Sequence, residues 1–341
     1  MIQRRIEISV KGRWIRVPAM HLDGNMIIVK GKWIKIAVIE AEEWLQTALV
    51  RPECCIRKLK ENALGGLHAD VFAFSQKIPA STPLYSYPVT WQSYAFVRVT
   101  SFNEWWMRVP QETRKNVRRS QKRGVKIRVK ELDAELVQDL VRLNNDSPVR
   151  QGKRFTHYGK SYEQVYKDQM SFLDRSDYIC AYFENTLIGV LKLVYCGDSA
   201  SILTLLSMPS HADKRPSNAL LAKAVELCEA KGISYLVYGK LNYGNKRDSS
   251  LRDFKIRNGF EEILLPRYFV PLTQWGAFCV RFGLHRGLLG MLPSSVIAFG
   301  ISFRARCYSL WQVIRRCSST VERSNCNRQT ERSIPPAGSN N

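Results

Sequence analysis

The amino-acid sequence predicts an α+β fold: a mixed, largely antiparallel sheet flanked by helices, with a small N-terminal β-module ahead of it. Three observations predict this. The apolar runs "YICAYFE", "TLIGVLKLVY" and "ASILTLLSM" succeed one another with only the turns "ENT" and "CGDS" between them, the pattern of an antiparallel meander. Segments with helical apolar spacing lie on either side of that meander, at 133–143 and 217–231. Near the start, "VKGRWIRV" at 10–17 returns as "VKGKWIKI" at 29–36, alternating apolar and basic residues as strands do. Two copies are too few for a solenoid.

The elements follow in order. Asp23-Gly24 supplies the turn between the two echoing strands, and "EAEEWLQTAL" reads as a short helix, so residues 1–68 form the basic module. From Ala69 the punctuation changes: "DVFAFSQKIP" and "SYAFVRV" are strands around a Pro- and Tyr-rich loop at 79–91. Pro110 starts a helix, Gly124 ends it, and "VKIRVKEL" is the next strand. The stretch from Thr113 to Lys130 holds nine Lys or Arg and no acid. Its helix has one good apolar residue, Val117, so the remaining surface is either solvated or turned to a polar partner. A helix beginning at Asp133 carries Leu136, Val137, Leu140 and Val141, and another covers roughly 160–173.

After the meander and the loop "PSHADKRP", a helix from Ser217 to Lys231 places Leu220, Leu221, Ala224, Val225 and Cys228 on one face and stops at Gly232. "SYLVYG" is a strand, "SSLRDFKIRN" a short helix ending at Gly259, and "EEILLPRYFVPL" the closing strand, which completes a main domain at 69–275. Residues 276–317 are apolar and basic without one acid, and 318–341 have the composition of a disordered tail.

Composition narrows the function. Of 341 residues, 45% are apolar, which excludes wholesale disorder, and a net charge of +22 points to anionic partners: nucleic acid, phosphorylated substrates or an acidic lipid surface. Nine cysteines without a CxxC pair argue against zinc and against a disulfide framework, and for buried free thiols. No GxxxxGK[ST], strand-linked GxGxxG, HExxH or GxSxG occurs, which removes the usual support for kinase, dehydrogenase and hydrolase readings. The first residues contain no apolar signal region, and the longest charge-free apolar run, 287–303, falls about one turn short of a bilayer span. The expected location is cytoplasmic, with peripheral contact with the inner membrane face left open. Lys214 and Arg215 directly before a helix N-terminus make either an anion cradle or an ordinary helix start.

The stretches "TRKNVRRSQKRGVKI", "RPSNALLAKAVELCEAKGISYLVYG" and "SSLRDFKIRNGFEEILLPRYF" resemble, in order and spacing, the Fem-type branch of the GNAT acyltransferase superfamily over roughly residues 69–272. That branch includes peptidoglycan-bridge aminoacyl ligases and acyltransferases tied to cell-envelope polysaccharide. The resemblance implies a GNAT-like acyltransferase fold. It puts Arg118, Arg119 and Lys122 on the branch's basic helix as acceptor-binding cations, and Phe254, Lys255 and Gly259 on its "FKxxxG" motif. Phe254 is expected to pack inward beside Leu251 and Lys255 to lie nearer the cleft, either as a charge that steadies an oxyanion or as a surface lysine. Ser207, Met208, Lys214, Arg215, Ser217 and Asn218 form the implied donor-binding set. Tyr238 and Tyr243 are either packing residues or phenols that protonate a leaving thiolate or alkoxide.

Acyl transfer to an amine needs positioning and no covalent enzyme intermediate, which suits a chain without a triad signature. The usual Q/R-x-x-G-x-G/A loop is missing from "SHADKRPSNA", and no long coiled-coil arm is visible, so acyl-CoA and aminoacyl-tRNA both stay open as donors, with no metal. The leading expectation is an acyltransferase, using a thioester or aminoacyl-tRNA and acting on a cell-envelope polysaccharide or lipid-linked precursor. Its expected partners are an anionic or lipid-linked sugar, tRNA and an anionic membrane surface. Two alternatives stand beside it. One is a basic nucleic-acid-binding protein, suggested by the charge and by Trp105 and Trp106 near the basic helix. The other is a catalytically inactive GNAT-fold scaffold at the membrane.

Overall fold

In the computed structural model, which describes residues 4–10, 13–61, 67–150, 152–242 and 249–286, the chain opens on three antiparallel strands. These are β1 (Arg4–Val10), β2 (Arg13–Leu22) and β3 (Asn25–Lys30). Asp23 and Gly24 turn the chain between β2 and β3 with φ of 47° and 76°, the left-handed geometry that Asp-Gly hairpins adopt. The second echo departs from expectation. Residues 31–35 are a turn between β3 and β4 (Ile36–Ile39), not part of one strand. Gly31 has φ 101°, and a Cβ there would lie 2.1 Å from the Ile34 carbonyl oxygen, so the chain folds back tightly and leaves Trp33 in solvent. The predicted helix "EAEEWLQTAL" reduces to one 3-10 turn at Glu42–Trp44, because the Glu42 carboxylate is drawn to Ser75 and Arg267 in other strands. The helix of this region is instead α1 (Pro52–Glu61), which buries Cys55, Ile56 and Leu59.

The next elements largely match the sequence. β5 (Val71–Ser75) and β6 (Val89–Arg98) precede α2 (Phe102–Arg108), a short helix capped by Ser101 that buries Trp105. α3 (Gln111–Lys122) starts after Pro110 and closes at Gly124, whose φ of 82° suits a C-terminal stop. β7 (Lys126–Lys130) leads to α4 (Ala134–Asn144), where Asp133 Oδ1 accepts from Leu136 N at 2.6 Å. A small hairpin, β8 (Val149–Arg150) and β9 (Lys153–Arg154), precedes α5 (Tyr162–Gln169). α5 is shorter than the predicted 160–173: a Ser161 capping box starts it, and Phe172 at φ 57° breaks any continuation.

The meander is β10 (Ser176–Phe183), β11 (Thr186–Cys196) and β12 (Ser199–Ser207), antiparallel throughout. Then come α6 (Pro216–Ala230), β13 (Tyr235–Lys240), α7 (Ser250–Arg257), β14 (Glu261–Pro271) and α8 (Gln274–Arg281).

Among the described residues, twelve strands form one mixed sheet in the order β1-β2-β3-β4-β5-β14-β6-β13-β12-β11-β10-β7, with parallel pairs at β4–β5 and β12–β13. β14 inserts antiparallel between β5 and β6, so the last strand ties the N-terminal strands to the meander. One apolar cluster gathers α4, α6 and the meander; a second gathers α1 with Phe72, Phe74, Tyr268 and Val270. Each large apolar side chain so buried contributes about 1.5–3 kcal/mol. Met1–His285 form one unit that includes the expected 1–68 module, and Arg286–Asn341 another, of which Arg286 alone is described. Most of the 276–317 segment and the whole 318–341 tail lie outside the described residues. Cys55, Cys180, Cys196, Cys228 and Cys279 are buried free thiols. Among the described residues, no helix is long and apolar enough to cross a membrane.

Candidate functional site

β12 and β13 run parallel but stay paired for only three positions: Ser199 with Tyr235, Ala200 with Leu236 and Ser201 with Val237. Both strands become irregular where they part. On β12, Ile202 faces Leu193 and Thr204 faces Lys192, which leaves Leu203 as a bulged extra residue. On β13, Val237 faces Phe96 and the next pair is Lys240 with Tyr94, so Tyr238 and Gly239 (φ 55°) leave the ladder. A bulge bends a strand and interrupts its pairing, and here two irregularities face each other across one wedge.

α7 sends Lys255 to the diverging end of β13. Its side chain is fully buried, and Nζ donates to the carbonyls of Tyr238 at 2.5 Å and Lys240 at 2.8 Å while lying 4.3 Å from the Tyr238 ring. Burial brings its pKa down to about 8. The expected placement of the motif is therefore partly reversed: Phe254 is half-buried against the core and Lys255 is the enclosed member. Carbonyls that leave the ladder need donors, and a lysine stem can cross apolar packing to deliver one. Tyr238 is half-buried, its ring 5.8 Å from Phe260. Tyr243 lies outside the described residues.

A cavity of about 260 Å³ opens on the wedge, lined there by Ser201, Leu203, Val237, Tyr238, Gly239 and Tyr94. Glu42–Trp44 and Ser75–Ile78 also line it. A second cavity of about 340 Å³ shares Ser75, Lys77 and Ser199 with the first and runs beneath residues 46–49 past Tyr85. Glu42 accepts from Ser75 N at 2.5 Å and from Arg267 Nη1 at 3.0 Å; burial raises its pKa, and the Arg267 charge opposes that rise. Burial also raises the Tyr94 phenol, reinforced by the carboxylates of Glu43 and Glu42. Lys77 donates to the Leu45 carbonyl, and burial lowers its pKa. Sequence reasoning missed Glu42, Glu43, Lys77, Tyr94 and Arg267. The acid-rich "EAEE" was visible but took the reading of a helix start, and Arg267 is 225 residues from its partner.

The donor-binding set divides. Ser207 ends β12, and its Oγ accepts from Ser217 Oγ at 3.2 Å, which joins the strand to the start of α6. Arg215 is exposed at the N-cap of α6 with φ 54°, and Lys214 lies 4.4 Å from the Phe183 ring. Met208 is buried, and buried Asn218 donates to Asn258 Oδ1 at 2.9 Å, so these two pack the framework. Arg118, Arg119 and Lys122 stand exposed on α3 with Lys115 and Arg123 around an open cleft and line neither wedge cavity. Arg123 binds Asp213 at 2.7 Å, which brings the basic face of α3 alongside the loop before α6. Among the described residues, no group of three or more His, Cys, Asp or Glu side chains could hold a metal ion.

No protein-family model matches the chain, and no curated protein matches its sequence. Solved structures do resemble it. FemX superposes with a TM-score of 0.51 at 12% identity, covering 78% of this chain and 87% of that one. The C-terminal domain of a protein assigned as a lysylphosphatidylglycerol synthetase from Agrobacterium fabrum gives 0.50 at 16%, covering 80% and 89%. L-PGS from Bacillus licheniformis gives 0.50 at 14%, also covering 80% and 89%. At these identities the likeness is one of fold: the chain shares the mixed α+β fold of FemX and of the lysylphosphatidylglycerol synthetase domains, in keeping with the GNAT-like acyltransferase fold expected from its sequence.

Proposed function

We propose that this protein is an acyltransferase that moves an acyl or aminoacyl group from a thioester or aminoacyl-tRNA to a nucleophile on a cell-envelope polysaccharide or lipid-linked precursor. The wedge between β12 and β13, with the Lys255 ammonium at one edge and a cavity opening into it, carries the reading. A linear donor arm can lie along β12 beyond Ser201, where no strand pairs with it on the β13 side, as an added strand would. Donor phosphates, present in both CoA and tRNA, are attracted by the α3 face, by Lys214 and Arg215, and by the N-terminus of α6. This reading moves Arg118, Arg119 and Lys122 from the acceptor to the donor side.

The acceptor enters through the cavity beneath residues 42–49. Its nucleophile adds a lone pair to the donor carbonyl carbon, and the C=O π pair moves to oxygen, where backbone N–H groups freed from the ladder at the wedge stabilise it; buried Lys255 holds the wedge backbone in place for this. Collapse restores C=O and expels a thiolate or alkoxide, which takes a proton from a phenol such as Tyr238. Glu42 or Glu43 receives the proton of the nucleophile. The fold shared with lysylphosphatidylglycerol synthetase domains makes a lipid-borne acceptor a natural class, by analogy of fold alone.

The test is thermal stabilisation of the full-length protein by acyl-CoA and aminoacyl-tRNA series, followed by transfer assays with lipid-linked sugars. Tyr238→Phe keeps the ring, so it should lower kcat by a larger factor than any loss of folded protein seen in Tm would account for. If neither donor class stabilises the protein and no transfer occurs, while RNA binds with steep salt dependence, the nucleic-acid-binding alternative replaces this reading.

A further inference from the structure

Away from the wedge, two segments about 240 residues apart are fastened together and present a ridge of exposed aromatic rings. Trp275 and Phe278 on α8 and Phe282 at its C-cap follow one another at helical spacing and are 47%, 48% and 58% exposed. Trp275 stacks on Phe278 with ring centroids 5.5 Å apart, and Phe278 meets Phe282 at 4.7 Å. Beside them the 31–35 turn lifts Trp33 out to 89% exposure. The indole N–H of Trp275 donates to the Trp33 carbonyl at 3.2 Å, which couples the turn to the helix.

Beneath the ridge, buried Asp70 holds both segments. Its Oδ2 accepts from Lys35 N at 2.8 Å, its Oδ1 from Thr273 Oγ1 at 3.1 Å, and its carbonyl oxygen from Leu272 N at 2.8 Å. Gly276 lets α8 settle on that residue; a Cβ there would lie 1.8 Å from the Asp70 carbonyl oxygen. The rings are thus held outward by a rigid base. Lys30, Lys32, Lys35 and Arg281, on or next to the same two segments, are exposed, and neither 30–35 nor 274–286 contains an acid.

We propose that this ridge docks the protein on the surface of an anionic phospholipid bilayer. Exposed Trp and Phe flanked by Lys and Arg match the interfacial layer, where amphipathic rings sit at headgroup depth and basic side chains meet lipid phosphates. A nucleic-acid duplex would satisfy the charges but keeps its base faces stacked within the helix, out of reach of the ridge. A second copy would bring another chain of charge +22 against this one. The proposal is independent of the acyl-transfer reading, since it uses no residue of the wedge.

Sedimentation of the full-length protein with vesicles tests it, comparing phosphatidylcholine alone with phosphatidylcholine containing phosphatidylglycerol, at low and high salt. Binding should require the anionic lipid and weaken in salt. Replacing Lys30, Lys32 and Arg281 by Gln should reduce partitioning by about fivefold per charge. The aromatic variant Trp33→Ser, Phe278→Ser, Phe282→Ser keeps the Trp275 bond to the backbone and should abolish binding with Tm unchanged. Brominated lipid should quench the part of the emission that Trp33→Phe removes.

A protein left in the supernatant with anionic vesicles at low salt overturns the proposal, as does equal binding to neutral vesicles. So does undiminished binding in both variants. An aromatic variant whose Tm falls by several degrees would show the rings packed within the chain, and a dimer in light scattering that the same variant dissociates would show a self-interface. Either outcome overturns it too.

Discussion

Lys255 has no exposed surface and spends its ammonium on two main-chain carbonyls, Tyr238 and Lys240, so its removal reaches the backbone of the wedge directly. Lys192 does the same beneath α5, donating to Gln169 O at 2.7 Å and Ser171 O at 2.6 Å, also with a pKa near 8 through burial. Lys255→Met leaves two buried acceptors without this donor and should destabilise the protein by about 1–3 kcal/mol at neutral pH, read in urea denaturation. The pH dependence is more specific. Folded Lys255 releases its proton at about 8, whereas an unfolded lysine holds one to about 10.4, so between those values the unfolded chain binds more protons and stability rises with pH. The neutral amine still has two N–H groups for the two carbonyls. Wild type should therefore gain on Lys255→Met by up to ~3 kcal/mol across that window. A constant difference would mean that the amine titrates as if solvated.

At the scale of elements, legibility followed locality. α3, α4 and α6 could be read because their starts and stops are written beside them: Pro110 and Gly124, Asp133, and Gly232 with φ 67°. The meander was legible through its short turns. The 31–35 turn was not, because Lys-Trp-Ile-Lys alternates like a strand while the backbone at Gly31 and the pairing of β4 with β5 decide otherwise. Of the residues the structure places at the wedge, the sequence reading names Lys255 and Tyr238. The site's other members come from residues 42–44, β5, β6 and β14, and no sequence spacing brings those together.

Two predictions belong to this scale. Replacing Arg118, Arg119 and Lys122 by Ala should leave Tm in place, because all three are exposed, yet weaken tRNA binding and flatten its salt slope by about 2–3. A lowered Tm with unchanged affinity would make them structural. Gly276→Ala should lift α8 from Asp70 and cost at least about 1–3 kcal/mol, seen as a lower urea midpoint.

For the whole molecule, the placement of β14 decides how the chain holds together. A strand made last in sequence pairs β5 through Arg267–Pro271 and β6 through Glu261–Tyr268, so neither half of the sheet is complete without it. Its Arg267 meets Glu42 at 3.0 Å in a mostly buried ion pair, unlike the exposed Arg16–Glu7 pair. Its Tyr268 is fully buried in the N-terminal cluster, with the hydroxyl accepting from Leu84 N at 2.8 Å and bonded to Gln76. Residues 1–68 and the meander should accordingly unfold together, although the sequence reads as a module followed by a domain. Tyr268→Ala tests this, since it damages only the N-terminal cluster and should cost about 3–5 kcal/mol. Hydrogen exchange under native conditions reports each half separately: amides of β5 and of β11 should lose protection by the same factor. If β5 amides exchange faster while those of β11 keep wild-type protection, the halves open independently and β14 acts as a clasp between two domains, not as the centre of one sheet.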